Sequence, residues 1–220
     1  FLFYTWMALL VLASCIGGIF YQPSPIACGR AWSWGTRLLL QVLCGISIEI
    51  RGHHNLPGGA CIVASKHQST LESVTFFRLL ENPVFTMKAE IARLPLMGYS
   101  IRRAGSISIE RKAGAAALRK LIKAAQEAFE KDAQVLIFPE GTRTQPRTRG
   151  KFNPGAAAIY SRCDVPVIPV ALNTGSFWAR RTLRKNPGRV IIEFLPPIEP
   201  GMDRKAFQEL LENTIEEATE

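Results

Sequence analysis

Residues 61–72 read CIVASKHQSTLE, and this stretch decides the fold class. Its first five residues are apolar or small and include the β-branched Ile62 and Val63, which indicates a buried strand. A polar segment follows at once, and Ser69-Thr70-Leu71-Glu72 is typical of a helix start. A buried strand that passes directly into a helix predicts an α/β sheet with helices packed on its faces.

The same alternation continues on both sides of this stretch. The β-branched residues recur in six further candidate strands, at residues 47–51, 84–86, 106–109, 135–138, 167–171 and 190–194. Helical spacing of apolar residues is clearest at 112–131, and Asp203 is placed to cap a last helix. The apolar face of that helix is predicted to consist of Phe207, Leu210, Leu211 and Ile215.

The first 29 residues contain no charged side chain, and residues 1–20 are apolar. A helix of this length rises about 1.5 Å per residue and can cross a hydrocarbon core of roughly 30 Å. We therefore predict a helix that spans or inserts into a membrane. A cleaved signal peptide is the alternative, since Leu12-Ala13-Ser14-Cys15 is similar to a lipoprotein cleavage site.

A second apolar stretch, residues 31–45, carries Arg37 as its one charge. Its Trp32 and Trp34 are of the residue type that favours the headgroup level, while a core helix with two buried tryptophans is the alternative. We expect residues 1–45 to form membrane-anchoring helices. Arg30 and Arg37 follow the first apolar segment, which predicts an inner-membrane location with the remainder of the chain facing the cytosol.

The composition restricts the partners. Lys and Arg number 27 against 18 Asp and Glu, for a formal charge of +9, which favours anionic partners such as nucleic acid, a phospholipid surface or an acidic carrier protein. The five cysteines are scattered and form no CxxC pair, so neither a disulfide framework nor a zinc site is indicated.

His67 is the first candidate catalytic residue, because it follows the buried strand at the place where α/β sheets form crevices. Histidine can remove a proton near neutral pH, and a nearby carboxylate such as Glu72 can fix its tautomer and stabilise the imidazolium. The structural alternative is a capping box in which Ser69 is the N-cap and Glu72 accepts its backbone N–H.

Two further segments pair a strand end with an arginine. Glu140-Gly141-Thr142-Arg143 follows an apolar strand, and the guanidinium fork of Arg143 suits a phosphate. Residues 105–111, GSISIER, end in Arg111. Either arginine alone is more commonly a solvated surface charge.

Together these segments resemble the glycerolipid acyltransferase family, and most closely those members that act on 1-acyl-glycerol-3-phosphate. The family's His-x4-Asp motif is similar to His67–Glu72, its Gly-x-x-Phe-Ile-x-Arg motif to residues 105–111, its Glu-Gly-Thr-Arg motif to residues 140–143, and its proline-containing strand to residues 167–171. The resemblance covers roughly residues 45–200. Glu72 replaces the usual Asp, and Ser108 replaces the usual Phe.

The resemblance implies a single acyltransferase domain at residues 46–220, with a mixed sheet flanked by helices. It implies that His67 is the general base for the sn-2 hydroxyl of lysophosphatidic acid, and that Glu72 orients it. Arg111 and Arg143 would hold the acceptor phosphate with Lys88 as a third cation. Glu140, Gly141 and Thr142 would support that loop.

The resemblance implies no cofactor and no metal, with acyl-CoA or acyl-ACP as the second substrate. The implied partners are the two substrates, membrane lipid and, as a further candidate, acyl carrier protein. A lipase or thioesterase is disfavoured because no Gly-x-Ser-x-Gly pentapeptide occurs. Nucleic acid is not expected, because the basic residues lack interleaved aromatic residues.

Overall fold

The protein was analysed as a computed structural model that describes residues 25–93, 97–110 and 113–219, together with Leu2, Thr5, Trp6, Ala8 and Leu9. Most of the apolar segment at residues 1–20 therefore lies outside the described residues, and so does Arg111. Within the described ranges, no helix is both long enough and apolar enough to span a bilayer.

The centre of the fold is a mixed sheet. Its strands in the described part of the chain are β1 (Ile46–Arg51), β2 (Cys61–Ser65), β3 (Pro83–Lys88), β4 (Ile107–Ile109), β5 (Gln134–Ile137), β6 (Val167–Leu172) and β7 (Gly188–Phe194). Their order is β1-β7-β6-β2-β5-β3-β4, and every pairing is parallel except β6 with β7. All seven predicted strands are present, and the predicted mixed sheet is confirmed.

The described helices are α1 (Pro25–Cys44), α2 (Leu71–Leu79), α3 (Ala89–Ala92), α4 (Met97–Arg103), α5 (Gly114–Phe129), α6 (Gly155–Tyr160), α7 (Thr174–Phe177) and α8 (Arg204–Thr219). Two apolar clusters cover the two faces of the sheet. One contains residues of α5, α6 and α8, and the other contains residues of α1 and α2.

Strand β2 shows how one sequence serves both layers. Ile62 and Ala64 belong to the α5/α6/α8 layer, whereas Cys61 and Val63 belong to the α1/α2 layer, as the two-residue period of a strand requires. All five residues of β2 are buried, because β5 and β6 flank the strand and apolar layers cover both faces of the sheet. Burial also raises the pKa of the Cys61 thiol to about 12, so this cysteine is structural.

Helix α1 contains the predicted second apolar stretch and begins six residues before it. Pro25 at its first position matches the proline preference there. The helix packs on α2, where Trp32 lies 6.3 Å from Phe77 between ring centroids. Trp34 is 57% exposed, so the alternative of a core helix with two buried tryptophans does not hold.

Helix α8 follows the predicted cap. Asp203 Oδ1 accepts the backbone N–H groups of Lys205 and Ala206, and these bonds lower the pKa of Asp203. Phe207 and two other predicted face residues are buried. Leu210 was placed on the wrong face: it is 40% exposed, because the buried face repeats every four residues from Phe207.

Candidate active site

The predicted motifs meet at the carboxyl-terminal ends of the central parallel strands. Strands β2, β5 and β6 are parallel neighbours, so the segments after their carboxyl ends lie side by side. His67 follows β2, Glu140 follows β5, and Thr174 follows β6. Open α/β sheets bind ligands in the crevice at these carboxyl ends.

His67 and Glu72 are in direct contact. His67 Nδ1 lies 2.9 Å from Glu72 Oε1, although five residues separate them in sequence. The imidazole also stacks on Phe138, with ring centroids 4.0 Å apart and planes inclined by 20°. A neutral imidazole that donates from Nδ1 carries its basic lone pair on Nε2. The geometry therefore presents His67 Nε2 as a base.

Glu72 is fully buried and accepts four hydrogen bonds. Besides His67, its Oε1 accepts the backbone N–H groups of Gln68 at 2.8 Å and Ser69 at 2.6 Å. Its Oε2 accepts the Thr174 hydroxyl at 2.8 Å. Glu has one methylene more than Asp, and its carboxylate still reaches all four donors, three of which follow β2 and one of which follows β6.

The capping-box alternative is correct in part. Glu72 accepts the Ser69 N–H as such a box requires. The helix, however, begins at Leu71 with Thr70 as its N-cap residue, and Ser69 Oγ accepts the Leu71 N–H at 3.2 Å. Glu72 thus stabilises the start of α2 and orients His67 with the same carboxylate.

Glu140 binds the backbone of His67. Its Oε2 accepts the His67 N–H at 2.8 Å, and its Oε1 accepts the Thr144 hydroxyl at 2.8 Å. Thr144 in turn donates its N–H to the His67 carbonyl at 2.8 Å. The loop that contains Arg143 is therefore fastened to both sides of the His67 backbone. Gly141, at φ 66°, permits the left-handed turn in this loop.

Sequence reasoning missed Lys66, which is fully buried beside His67. Its Nζ lies 2.9 Å from Glu140 Oε1 and 2.6 and 2.7 Å from the two oxygens of Glu216, and it donates to the Thr148 carbonyl at 3.2 Å. A lysine between a buried strand and a catalytic candidate was the available signal. Nothing in the sequence identified Glu216, 150 residues further on, as its partner.

A cavity of about 920 Å³ opens in front of His67. Gly141, Thr142, Arg143 and Lys88, which the sequence predicts to bind or support the acceptor phosphate, line this cavity. Arg103 and Arg180 are cationic lining residues that sequence reasoning missed. Arg180 Nη1 donates to the Arg143 carbonyl at 3.3 Å. The position of Arg111 relative to this cavity lies outside the described residues.

Apolar side chains line the remainder of the cavity. Trp32, Phe77, Phe85 and Met87 lie on one side, and the lining also contains Leu118, Leu121 and Ile137. Among the residues that the structure describes, no group of His, Cys, Asp or Glu side chains is placed to hold a metal ion. The site thus combines an oriented base, several cations and an apolar cavity.

Comparison with known proteins identifies the family. The acyltransferase family model matches residues 47–173, which include both the His67 and the Glu140 segments. The chain belongs to the acyltransferase family. The acyltransferase predicted from the motifs is thereby confirmed at the level of the family.

Named relatives of this acyltransferase chain come from bacteria, animals and plants. It is 35% identical over 173 residues to the 1-acyl-sn-glycerol-3-phosphate acyltransferase of Pseudomonas aeruginosa, covering 78% of this chain and 67% of that protein. It is 30% identical over 164 residues to the human 1-acyl-sn-glycerol-3-phosphate acyltransferase alpha, covering 73% of this chain and 58% of the human protein. The chain thus spans about six tenths to two thirds of the length of these relatives.

A solved structure shares the fold of this acyltransferase. The crystal structure of the 1-acyl-sn-glycerophosphate (LPA) acyltransferase PlsC from Thermotoga maritima superposes with a TM-score of 0.73 at 20% identity, covering 99% of this chain and 93% of that one. At this identity the likeness supports the fold alone.

Proposed function

We propose that the chain transfers a fatty acyl group from an acyl thioester to the sn-2 hydroxyl of 1-acyl-glycerol-3-phosphate. The product would be phosphatidic acid, a precursor of phospholipids. The observation that carries this proposal is the His67–Glu72 pair at 2.9 Å, at the mouth of a cavity with both cationic and apolar lining. The names of the curated relatives support the choice of acceptor.

The chemistry follows from the free Nε2 of His67. This nitrogen takes the proton of the acceptor hydroxyl while the hydroxyl oxygen attacks the thioester carbonyl carbon. The tetrahedral intermediate then collapses, the C–S bond breaks, and the imidazolium returns its proton to the leaving thiolate. The buried Glu72 carboxylate stabilises the imidazolium between these steps.

No acyl-enzyme is needed, because a thioester is already activated and the chain has only to position a base and two substrates. Arg143 and Lys88 would hold the acceptor phosphate, with Arg111 as a further cation of the same motif set. The acyl chain would occupy the apolar part of the cavity near Trp32 and Phe77. Either acyl-CoA or acyl-ACP fits a site with this charge, since both donors are anionic.

We further propose that residues 1–45 anchor the domain at residues 46–220 to the cytosolic face of the inner membrane. The support is the outward side of α1, where Trp34, Leu38, Val42 and Leu43 are exposed. An apolar helix side of this kind suits the boundary between headgroups and acyl chains. An enzyme at that depth would reach its acceptor without extracting it from the bilayer.

The function is tested with purified His67→Ala. We expect acyl transfer to fall by roughly 10²–10⁴, because a general base contributes about that factor. The unfolding temperature should fall only slightly, because Glu72 keeps its three other hydrogen bonds and Glu140 still accepts the backbone N–H at this position. A folded His67→Ala enzyme that retains near-parental turnover would refute the assignment.

A second measurement separates acyl transfer from thioester hydrolysis. With acyl-CoA and no acceptor, the parent should release little free thiol, and 1-acyl-glycerol-3-phosphate should restore release together with phosphatidic acid. Rapid thiol release without acceptor would identify a thioesterase instead.

A further inference from the structure

A second, smaller cavity lies between α1, α2 and β1, away from His67. Its volume is about 170 Å³. Its lining residues are Ser33, Thr36 and Arg37 of α1, Leu71, Thr75, Arg78 and Leu79 of α2, and Ile48 and Ile50 of β1. We call it the α1–α2 cleft. The catalytic cavity uses other residues of the same two helices.

Two arginines of the cleft are available to a ligand. Arg37 and Arg78 are both exposed at the rim, and across the described ranges neither forms an ion pair or a hydrogen bond. Among the residues that the structure describes, no carboxylate lines the cleft. The acidic residue of β1, Glu49, alternates with Ile48 and Ile50 and is bonded to Arg51 and Arg189. The cleft is therefore a place of uncompensated positive charge.

A buried hydroxyl without a partner points to the same place. Thr36 is 1% exposed, and its Oγ1 has no hydrogen-bond partner in the structure as described. Buried polar groups are normally paired, and an unpaired one calls for a specific explanation. A phosphate oxygen would provide the acceptor that the Thr36 hydroxyl lacks. Two guanidinium forks and a hydroxyl form a donor set well suited to a phosphate.

The position of Arg37 favours a lipid phosphate. Arg37 comes three residues after Trp34 in α1, and an α-helix turns about 300° over three residues, so the two side chains lie about 60° apart around the helix. Arg37 therefore lies beside the exposed Trp34, and the exposed Leu38 is the next residue. If these apolar side chains enter the outer acyl region, Arg37 lies at the depth of the headgroup phosphates. The apolar Ile48 and Ile50 in the cleft would contact the glycerol side of such a headgroup.

We propose that the α1–α2 cleft binds the phosphate of an anionic phospholipid headgroup, at a site separate from the acceptor site. The ligand would connect α1 to α2. These two helices also contribute Gly29, Trp32 and Phe77 to the catalytic cavity. A lipid in the cleft would therefore hold the wall of the catalytic cavity in place when the chain is on a membrane.

The test compares two double variants that remove the same charge. Arg37→Gln/Arg78→Gln changes the cleft, whereas Arg119→Gln/Arg204→Gln changes exposed arginines of α5 and α8, in the layer on the opposite face of the sheet. Each protein is sedimented with phosphatidylcholine vesicles, with and without phosphatidylglycerol. Phosphatidylglycerol is the probe because it is neither the acceptor nor the product of the proposed reaction.

We expect the cleft variant to lose about tenfold or more in affinity for the anionic vesicles, because hydrogen bonds to charged groups are the strong ones. The control variant should lose much less, since exposed charges are screened. Binding to pure phosphatidylcholine should be the same for all. Equal losses in the two double variants would overturn the proposal, because binding would then follow total charge.

Two further variants and a competitor complete the design. Thr36→Val, which keeps the side-chain volume, should weaken anionic-vesicle binding by a few-fold, and Arg37→Lys/Arg78→Lys should retain part of it. If the glutamine variant does not fold, Thr36→Val and Arg37→Lys/Arg78→Lys test the site in its place. An affinity for anionic vesicles equal to that of the parent in both of these variants would refute the site. Inorganic phosphate should compete in the parent and not in the cleft variant. If the cleft variant lost only phosphate binding and kept its full vesicle affinity, the ligand would be free phosphate and not lipid.

Discussion

Replacing Lys66 by methionine removes the ammonium group from a buried cluster of charges, Lys66, Glu140 and Glu216, that contacts the His67 backbone. Lys66 lies between Glu140 and Glu216, with contacts of 2.9 and 2.6 Å, and the side chains of all three are at least 96% buried. Methionine fills most of the same volume but leaves two carboxylates facing each other without a counter-charge. The variant therefore isolates the electrostatic contribution of the cluster.

The magnitude follows from what each partner keeps. Removing one member of a buried ion pair typically costs about 3–5 kcal/mol, against a total domain stability of about 5–15 kcal/mol. Glu216→Gln should cost less, about 1–3 kcal/mol, because its amide oxygen can still accept from Gly150 N–H. In the Lys66→Met background, Glu216→Gln should instead restore stability, since it removes one of the two opposed charges.

Urea unfolding of the four proteins of this cycle, followed by far-ultraviolet circular dichroism, measures these terms. The coupling between the two positions has to exceed the cost of Glu216→Gln in the parent, so we expect about 3 kcal/mol, the upper end of the range for residues in contact. Arg51→Met is the matched control, because the Arg51–Glu49 pair is also short, at 2.7 Å, but has exposed side chains. Ion pairs on the surface contribute much less to stability than buried ones, because solvent screens them.

Two results would refute this reasoning. One is a Lys66→Met variant that loses no more stability than Arg51→Met. The other is a Glu216→Gln change that destabilises the parent and the Lys66→Met protein equally. Either would mean that the cluster is solvated or differently paired in solution.

Three further predictions concern the site and the membrane. Glu72→Gln should reduce acyl transfer about tenfold or more, and Glu72→Asp should keep more activity, because only a carboxylate stabilises the His67 imidazolium. If Glu72→Gln is fully active and loses only about 0.5–2 kcal/mol of stability, the role of Glu72 is to cap the helix. Arg143→Lys should raise the KM for the phosphorylated acceptor with little change in kcat, because a lysine ammonium cannot form the two parallel hydrogen bonds of a guanidinium. An unchanged acceptor KM would show that Arg143 does not bind the phosphate. Deleting residues 1–22 should make vesicle binding sensitive to salt, whereas the parent should stay bound in high salt; a parent that salt washes off would show that this segment is no anchor.

The fold could be predicted largely because its strands carry a local signal. Residues 61–65 are buried on both faces, and continuous apolar character of that kind is legible in sequence. Strand order is different in kind: in the β1–β7 pair Ile46 faces Gly188, 142 positions further along the chain, and no local pattern encodes that neighbour. Leu210 shows the same limit on a smaller scale, because the helical spacing of its apolar residues permits two faces and only packing selects one.

The contact between His67 and Glu72 could be predicted because the two residues lie five positions apart at a strand-to-helix junction. The contacts that hold them could not. Thr174 reaches Glu72 from a position 102 residues away, and Glu216 reaches Lys66 from 150 residues away. Both depend on how β6 and α8 pack beside β2. The cleft that Arg37 and Arg78 line could not be predicted either, because only the packing of α1 on α2 brings these two arginines together.

The two carboxylates beside His67 divide the work of holding it. Glu72, tied to α2 and to Thr174, fixes the ring and leaves Nε2 free. Glu140, tied to Lys66 and Thr144, fixes the backbone N–H and the loop that carries Arg143. Glu140 contacts the His67 segment and the loop of Arg143 together, and Thr144 also donates to the His67 carbonyl, so these two residues set the distance from His67 to the proposed phosphate site. Glu216 of α8 holds Lys66 against Glu140, so the last helix of the chain takes part in setting the geometry of a site to which it contributes no lining residue.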